Sequence, residues 1–289
     1  MTLFDKIVSR ELTQNEAIDL LRQWRENNER KSNEIAMIHM FYDIYSGKIS
    51  ANERLMLKEQ LIFASLDVHD LLTEFQIDFL LQEFPASMRV MRYKAMVREA
   101  KEKYDEALEI LDYIIKADET NAPARKRRIA IFKAQGQITE AIKELVDYLK
   151  KFMSDVEGWQ QLCELYLSVG ELQRAVFCAE EMLLHQPHCH FHHQRVADIR
   201  YTMGGVENME LAKSYYCQAL KLNPENMRAT LGLFLTTTNL LNHYKSSGNS
   251  AKRKEAWKLS QWTQTKAAKR TATKKIKLTK MLLNLAITE

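Results

Sequence analysis

Turn-forming and cross-linking residues are scarce in this sequence. Its 289 residues include 8 glycines, 4 prolines and 4 cysteines. So few breakers leave little room for a loop-rich or many-stranded chain and favour helix nearly throughout. Cys163, Cys178, Cys189 and Cys217 are scattered through a chain of ordinary size. They fit reduced thiols in a cytosolic protein better than a disulfide framework. No apolar run reaches the ~18 residues that a membrane span needs. The best stretch, LGLFLTTTNLL at 231–241, is short and carries three threonines. The N-terminus has acids at Asp5 and Glu11 and no long apolar core, so no secretory signal is expected. A Gly-rich phosphate loop, GxSxG and HExxH are all missing. No enzymatic activity, cofactor or metal is therefore expected.

What is present is an ordinary globular balance, 46% hydrophobic and 28% charged, with a net charge of +4. The charge is unevenly placed. Residues 245–289 hold 12 Lys/Arg against Glu255 and Glu289, a net +10, which leaves −6 for residues 1–244. An acidic body with a basic tail points to an anionic contact for the tail: a lipid surface, an acidic partner or nucleic acid.

The chain also repeats. KYDEALEILDYII, QITEAIKELVDYL and GELQRAVFCAEEML align with a small residue at Ala107, Ala141 and Ala175, in steps of 34. MELAKSYYCQALKLNP continues the series at Ala212, 37 residues on, and the extra three residues are expected to lengthen the MGGVEN loop at 203–208. Prolines repeat the count: Pro85 to Pro187 is 102 residues, and Pro224 follows after 37. A 34-residue period with a small residue in a fixed place is the tetratricopeptide pattern. Each unit reads as two amphipathic helices. Alanine fits where they cross closely, larger residues (Leu111, Leu145, Met182, Tyr216) fill the groove to the next unit, and proline forces the closing turn. The fullest match has Trp159, Leu162, Cys163 and Tyr166, then Ala175, Ala179 and Pro187. The expected fold is all-α, a right-handed tetratricopeptide superhelical solenoid. Its units fall near 54–87, 88–121, 122–155, 156–189 and 190–226, with a half unit from 227. Atypical end units are expected as caps; the first has Thr73 in the small position and Pro85 closing it. Residues 1–53 read as N-terminal capping helices, with a capping-box spacing at Thr13 and Glu16. Residues 245–289 read as a polar loop at 245–254 followed by basic helices, with 281–287 apolar enough to dock back.

Five of eight histidines crowd into HQPHCHFHHQ at 185–194. His188 with His192, and Cys189 with His193, are i,i+4 pairs that could each present two ligands if the helix starts early enough. The pairs point about 100° apart, so they cannot close one tetrahedron. The favoured reading is an inter-repeat junction, with His185 placed at a helix C-terminus.

The repeat frame also sets out a groove. Arg89 and Arg92, then Lys126 and Arg127 of ARKRR, with Lys133, Gln160 and Glu164, are the expected partner-binding positions on its concave side. A solvated helix face is the alternative. Co-chaperones of this fold hold a carboxylate with Lys and Asn, but the Asn positions carry Met96 and Ala130 here. The basic tail (Lys252, Arg253, Lys254, Lys269, Arg270, Lys274 and Lys275) is either a solvated face or a contact for the cytosolic leaflet. Nucleic acid is disfavoured, because the tail has few stacking aromatics beyond Trp257 and Trp262.

Several stretches go further: WRENNER at 24–30, ARKRRIAIFKAQG at 124–136, QPHCH at 186–190, YTMGGVENMEL at 201–211 and QALKLNPENMRATLGL at 218–233. Together they resemble the subunit 2 family of the endoplasmic reticulum membrane protein complex, over roughly residues 24–240. The resemblance implies a cytosolic, non-catalytic scaffold held peripherally on the endoplasmic reticulum. It implies subunits 1, 3, 5 and 8 or 9 as partners, and a supporting role in inserting tail-anchored and multipass membrane proteins. A soluble adaptor or co-chaperone, or a protein that meets nucleic acid through its tail, is the alternative.

Overall fold

A computed structural model describes residues 3–46, 49–68 and 72–274. The described residues are helical, without a strand. The chain divides into two compact units, Met1–Gln137 and Ile138–Glu289. The first holds α1 (Leu3–Val8), α2 (Gln14–Glu26), α3 (Ser32–Phe41), α4 (Ala51–Asp67), α5 (Leu72–Glu83), α6 (Met88–Ala100), α7 (Tyr104–Ala117) and α8 (Ala122–Ala134). The second holds α9 (Ile138–Lys151), α10 (Val156–Ser168), α11 (Leu172–His185), α12 (His190–Met203), α13 (Val206–Leu222), α14 (Met227–Ser247) and α15 (Ser250–Lys274). In the first unit α1 packs on α3, and successive helices from α3 to α8 pack on one another; in the second, successive helices from α9 to α15 do the same.

The period shows up in the helix ends as well as in the core. Side-chain oxygens of Ser87, Asn121, Asp155 and Asn226 each accept the backbone N–H three residues on, which satisfies an orphan donor of the first turn. Those caps keep the repeat spacing, and Cys189 takes the same place at α12 without a capping bond. Left-handed backbone recurs just past the preceding helix at Glu102, Gly136, Gly170 and Gly204, with φ of 58°, 73°, 77° and 73°. Glycine enters that region freely; Glu102 enters it against its Cβ. In each following helix Ala107, Ala141, Ala175 and Ala212 are fully buried. Leu111, Leu145, Met182 and Tyr216 are buried too. At the N-terminus, Thr13 and Glu16 make both halves of a capping box. Trp24, Leu21 and Ile18 of α2 pack there with Ile35 and Ile38 of α3 and Leu57 of α4.

Three expectations about the chain's segments change. The YTMGGVEN insertion does not lengthen a loop. Gly204 and Gly205, both at positive φ, form the whole connection, and the extra residues enter α13, which has 17 residues where α7, α9 and α11 have 14. Two adjacent glycines turn the chain in the least length, and VENMEL is free to start the helix early. The polar stretch 245–254 is not an extended loop. Gly248, at φ +72°, ends α14. Asn249 caps α15, its side chain accepting from Lys252 N at 3.2 Å and its carbonyl from Arg253 N at 3.0 Å. Left-handed glycine followed by asparagine is a stop and a start in two residues. Finally, α14 is not half of a unit. It pairs with α15, which buries Ala256, Ser260, Thr263 and Ala267. The apolar segment 281–287 lies outside the described residues.

Candidate functional site: a groove in the first unit

The first unit carries an open groove of about 1100 Å³ between α2–α3, α4 and α6, reaching Arg127 of α8. Its apolar lining includes Met56, Phe63 and Phe84, which stay 48%, 42% and 43% exposed. Large side chains this open in one groove are not core packing and leave apolar surface facing solvent. Met96 also lines it, and thioether and phenyl groups adapt to varied apolar partners.

Guanidinium groups line the groove between these side chains, and most have an acid. Arg89 makes a bidentate pair with Glu59 of α4, at 2.7 and 2.6 Å, and its Nε also donates to Tyr93 Oη at 2.9 Å. Arg25 reaches Glu53 at 2.7 Å, and Arg30 pairs with Asp67 through two hydrogen bonds. Arg127 meets Glu99 at 3.3 Å, yet burial outweighs that cation and lifts the Glu99 carboxyl above its ordinary range.

Arg92 differs. It is half-buried, lies 5.5 Å over the Tyr93 ring and has no carboxylate partner among the described residues. Burial lowers its affinity for a proton, and the neighbouring charges of Arg89 and Arg127 add to this against Glu59. Two buried polar atoms of residues on the same lining, Gln60 Oε1 and Arg25 Nη1, make no hydrogen bond among the described residues. Among the described residues the groove thus offers an apolar trough, a cation without an ion-pair partner, and a spare acceptor and donor. It can seat a chain segment with an apolar face and a carboxylate.

Three of the positions expected from sequence, Arg89, Arg92 and Arg127, line this groove together. Lys126 and Lys133 of α8 are not among the lining residues: Lys126 is half-buried and Lys133 exposed. Residues 126 and 127 diverge by about 100° around a helix, so one helix cannot aim both inward. Gln160 and Glu164 belong to the second unit, where Gln160 donates to Glu164 at 3.2 Å and Arg195 lies 3.5 Å from the same carboxylate. Glu59, which occupies Arg89, has no marker in the sequence; it sits 30 residues away and only packing brings it there.

Four of the five histidines at 185–194 are held one by one. Helix α12 begins at His190, so His188 and Cys189 precede it and neither i,i+4 pair shares a helical face. His185 Nε2 donates to Met153 O at 3.0 Å and His193 Nε2 to Pro187 O at 2.9 Å. His192 Nε2 meets Gln186 Oε1 at 3.0 Å, and His190 lies between Asn223 and Asn226, each at 3.0 Å. Among the described residues no group of three or more His, Cys, Asp or Glu is arranged to hold a metal ion. Trp159 is half-buried, donating to Met153 O at 2.8 Å and meeting Phe177 edge-on at 6.1 Å, while Pro187 and Pro224 are exposed in their turns. The tail residues Lys252, Arg253 and Lys254 are exposed on α15. Of Lys269, Arg270 and Lys274 only the helical backbone is described, and Lys275 lies outside the described residues.

A solved bacterial structure, the C-terminal part of a tetratricopeptide repeat-containing protein from Cytophaga hutchinsonii, superposes with a TM-score of 0.57 over 84% of this chain and 93% of that one, at 15% identity. At that identity the likeness shows the fold alone, and the fold is tetratricopeptide. "ER membrane protein complex subunit 2-A" of Xenopus laevis is 41% identical over 236 residues, 81% of this chain and 79% of that protein. "ER membrane protein complex subunit 2" of Dictyostelium discoideum is 34% identical over 208 residues, 71% of this chain and 65% of that protein. The family described as the EMC2 TPR-like repeat domain matches residues 70–220. A family match over half the chain and relatives of this identity and coverage leave one conclusion: the chain belongs to the family of subunit 2 of the ER membrane protein complex.

Proposed function

We propose that this chain is a non-catalytic scaffold subunit of the ER membrane protein complex, lying peripherally on the cytoplasmic face of the endoplasmic reticulum. Its groove in the first unit holds a cytosolic segment of another subunit, and it supports the insertion of tail-anchored and multipass membrane proteins. Family membership supports the assembly. The observation that carries the groove's role is Arg92: a half-buried guanidinium on the same lining as Met56, Phe63 and Met96, with no acid of its own among the described residues. A partner segment with an apolar face and an Asp or Glu would cover the trough and neutralise the cation in one step. Subunit 5 is the first candidate to supply it, with subunits 1, 3 and 8 or 9 around it. Among the described residues no helix is long and apolar enough to cross a membrane, so attachment through neighbours suits the reading.

Affinity purification of the tagged chain from detergent-solubilised membranes, with protein identification, tests the proposal. The expected result is recovery of the membrane complex with wild-type chain. Arg92→Glu should lower that recovery at least tenfold while its melting temperature stays at or above wild type, because the charge it removes is repelled by Arg89 and Arg127. Recovery as a free chain, or with a chaperone alone, would overturn the assembly. Full recovery by Arg92→Glu would overturn the groove's part in it.

A further inference from the structure

We infer that the outward face of α15 binds an anionic phospholipid surface. This site is separate from the groove and does not rest on it.

Helix α15 packs on α14 through Ala256, Ser260, Thr263 and Ala267, a stripe at helical spacing. The opposite side presents Lys254, Lys258 and Trp262, each four residues from the last and each exposed. Trp262 is 49% exposed, and the Lys266 ammonium lies 4.7 Å over its ring. An indole left in solvent at a helix surface gains nothing from that position by itself. With the Lys266 ammonium over its ring and Lys258 one turn before it, it matches the interfacial layer of a bilayer, where indole sits at headgroup depth and ammonium groups meet phosphates.

The charges on this face are available. The acid of the helix, Glu255, is tied to Lys213 of α13 at 3.4 Å, and Lys252 is taken by Glu210 at 2.6 Å. Arg253, Lys254, Lys258 and Lys266 have no carboxylate partner among the described residues. In sequence the run continues through Lys269, Arg270, Lys274, Lys275, Lys277 and Lys280, against Glu289 alone. A flat face of cations with one aromatic suits a continuous anionic plane. A nucleic-acid strand would call for several stacking rings and for arginine forks, and this face has one ring and mostly lysine.

Flotation of the full chain with vesicles tests the inference, using phosphatidylcholine alone and phosphatidylcholine mixed with phosphatidylserine. Binding should need phosphatidylserine, fall with added salt, and shift Trp emission to the blue, a shift absent in Trp262→Phe. The triple variant K254E/K258E/K266E should bind on the order of 100-fold more weakly or worse. K116E/K143E/K221E changes net charge equally and should bind like wild type. Where the first triple variant melts lower than wild type, Lys258→Glu alone and the Trp262 emission make the same comparison. Equal binding to both vesicle types, equal loss in both triple variants, or displacement from vesicles by a short single-stranded RNA that binds more tightly would each overturn it.

Discussion

The ring of Tyr216 occupies the space that a side chain at residue 232 would need. A Cβ built on Gly232 would lie 2.4 Å from the ring's Cζ and 2.6 Å from its hydroxyl oxygen. Tyr216 cannot swing away freely: it is 2% exposed, and its hydroxyl donates to Asp198 at 2.6 Å, which also receives Arg228 Nε at 2.9 Å. Helices α13 and α14 therefore close on a bare backbone. Gly232→Ala should cost about 2 kcal/mol, since overpacking a closed core outweighs the ~1 kcal/mol that alanine gains in a helix. Gly158→Ala is the comparison: its nearest neighbours, Leu149 and Tyr148, stand at 3.0 and 3.4 Å, and the cost should stay below about 1 kcal/mol. Urea unfolding of both variants reads the difference, and equal costs would refute the account.

The three extra residues of α13 have a structural use. They extend its first turns, where Val206 and Met209 pack with Leu240, Leu241 and Tyr244 of α14 and Ala256 and Trp257 of α15. Glu210 then accepts from Tyr244 Oη and Lys252 Nζ, both at 2.6 Å. Glu210→Ala should weaken this corner by about 1 kcal/mol, a modest loss because the pair is partly solvated. The sharper readout is local. Amide exchange in α15 and cleavage near Gly248 should quicken while α9–α11 exchange as before; uniform quickening would show that the contact is not local.

Acid should loosen the N-terminal helices through His39. Burial pushes its imidazole down to about 4 from an ordinary 6.5. Its Nδ1 lies 3.2 Å from Tyr45 Oη, and its buried Nε2 makes no hydrogen bond among the described residues. The folded chain keeps His39 neutral and the unfolded chain protonates it first. Stability from this residue is thus intact above pH 6.5 and is lost as pH falls toward 4, by up to about 3 kcal/mol. Melting curves between pH 7 and pH 4 should show a steeper fall for wild type than for His39→Gln. Parallel curves would refute it.

The candidate site was only partly legible. Arg89, Arg92 and Arg127 follow from the repeat frame, because inward positions recur with the period. Which of the three cations lacks an acid among the described residues does not, since Glu59 reaches Arg89 across helices and from 30 residues away. Lys126 shows the limit from the other side: adjacent residues in a helix face different ways, and the frame alone could not choose between them. Ladders of helix caps at 87, 121, 155 and 226 were present in the letters Ser, Asn, Asp and Asn. They are harder to see than the alanines, because several residue types cap equally well and only one fits a close crossing. Glu102 hid its register completely: it takes the left-handed conformation where its counterparts are glycine.

The order of the amino acids by itself determined the helices, their 34-residue period and the alanines at the crossings, since each depends on local propensity and on spacing along one helix. Tertiary packing alone decided where the inserted residues went, which acid each groove arginine met and which face of the last helix stayed open. Those outcomes depend on distances between residues far apart in the chain, and no local pattern encodes such distances.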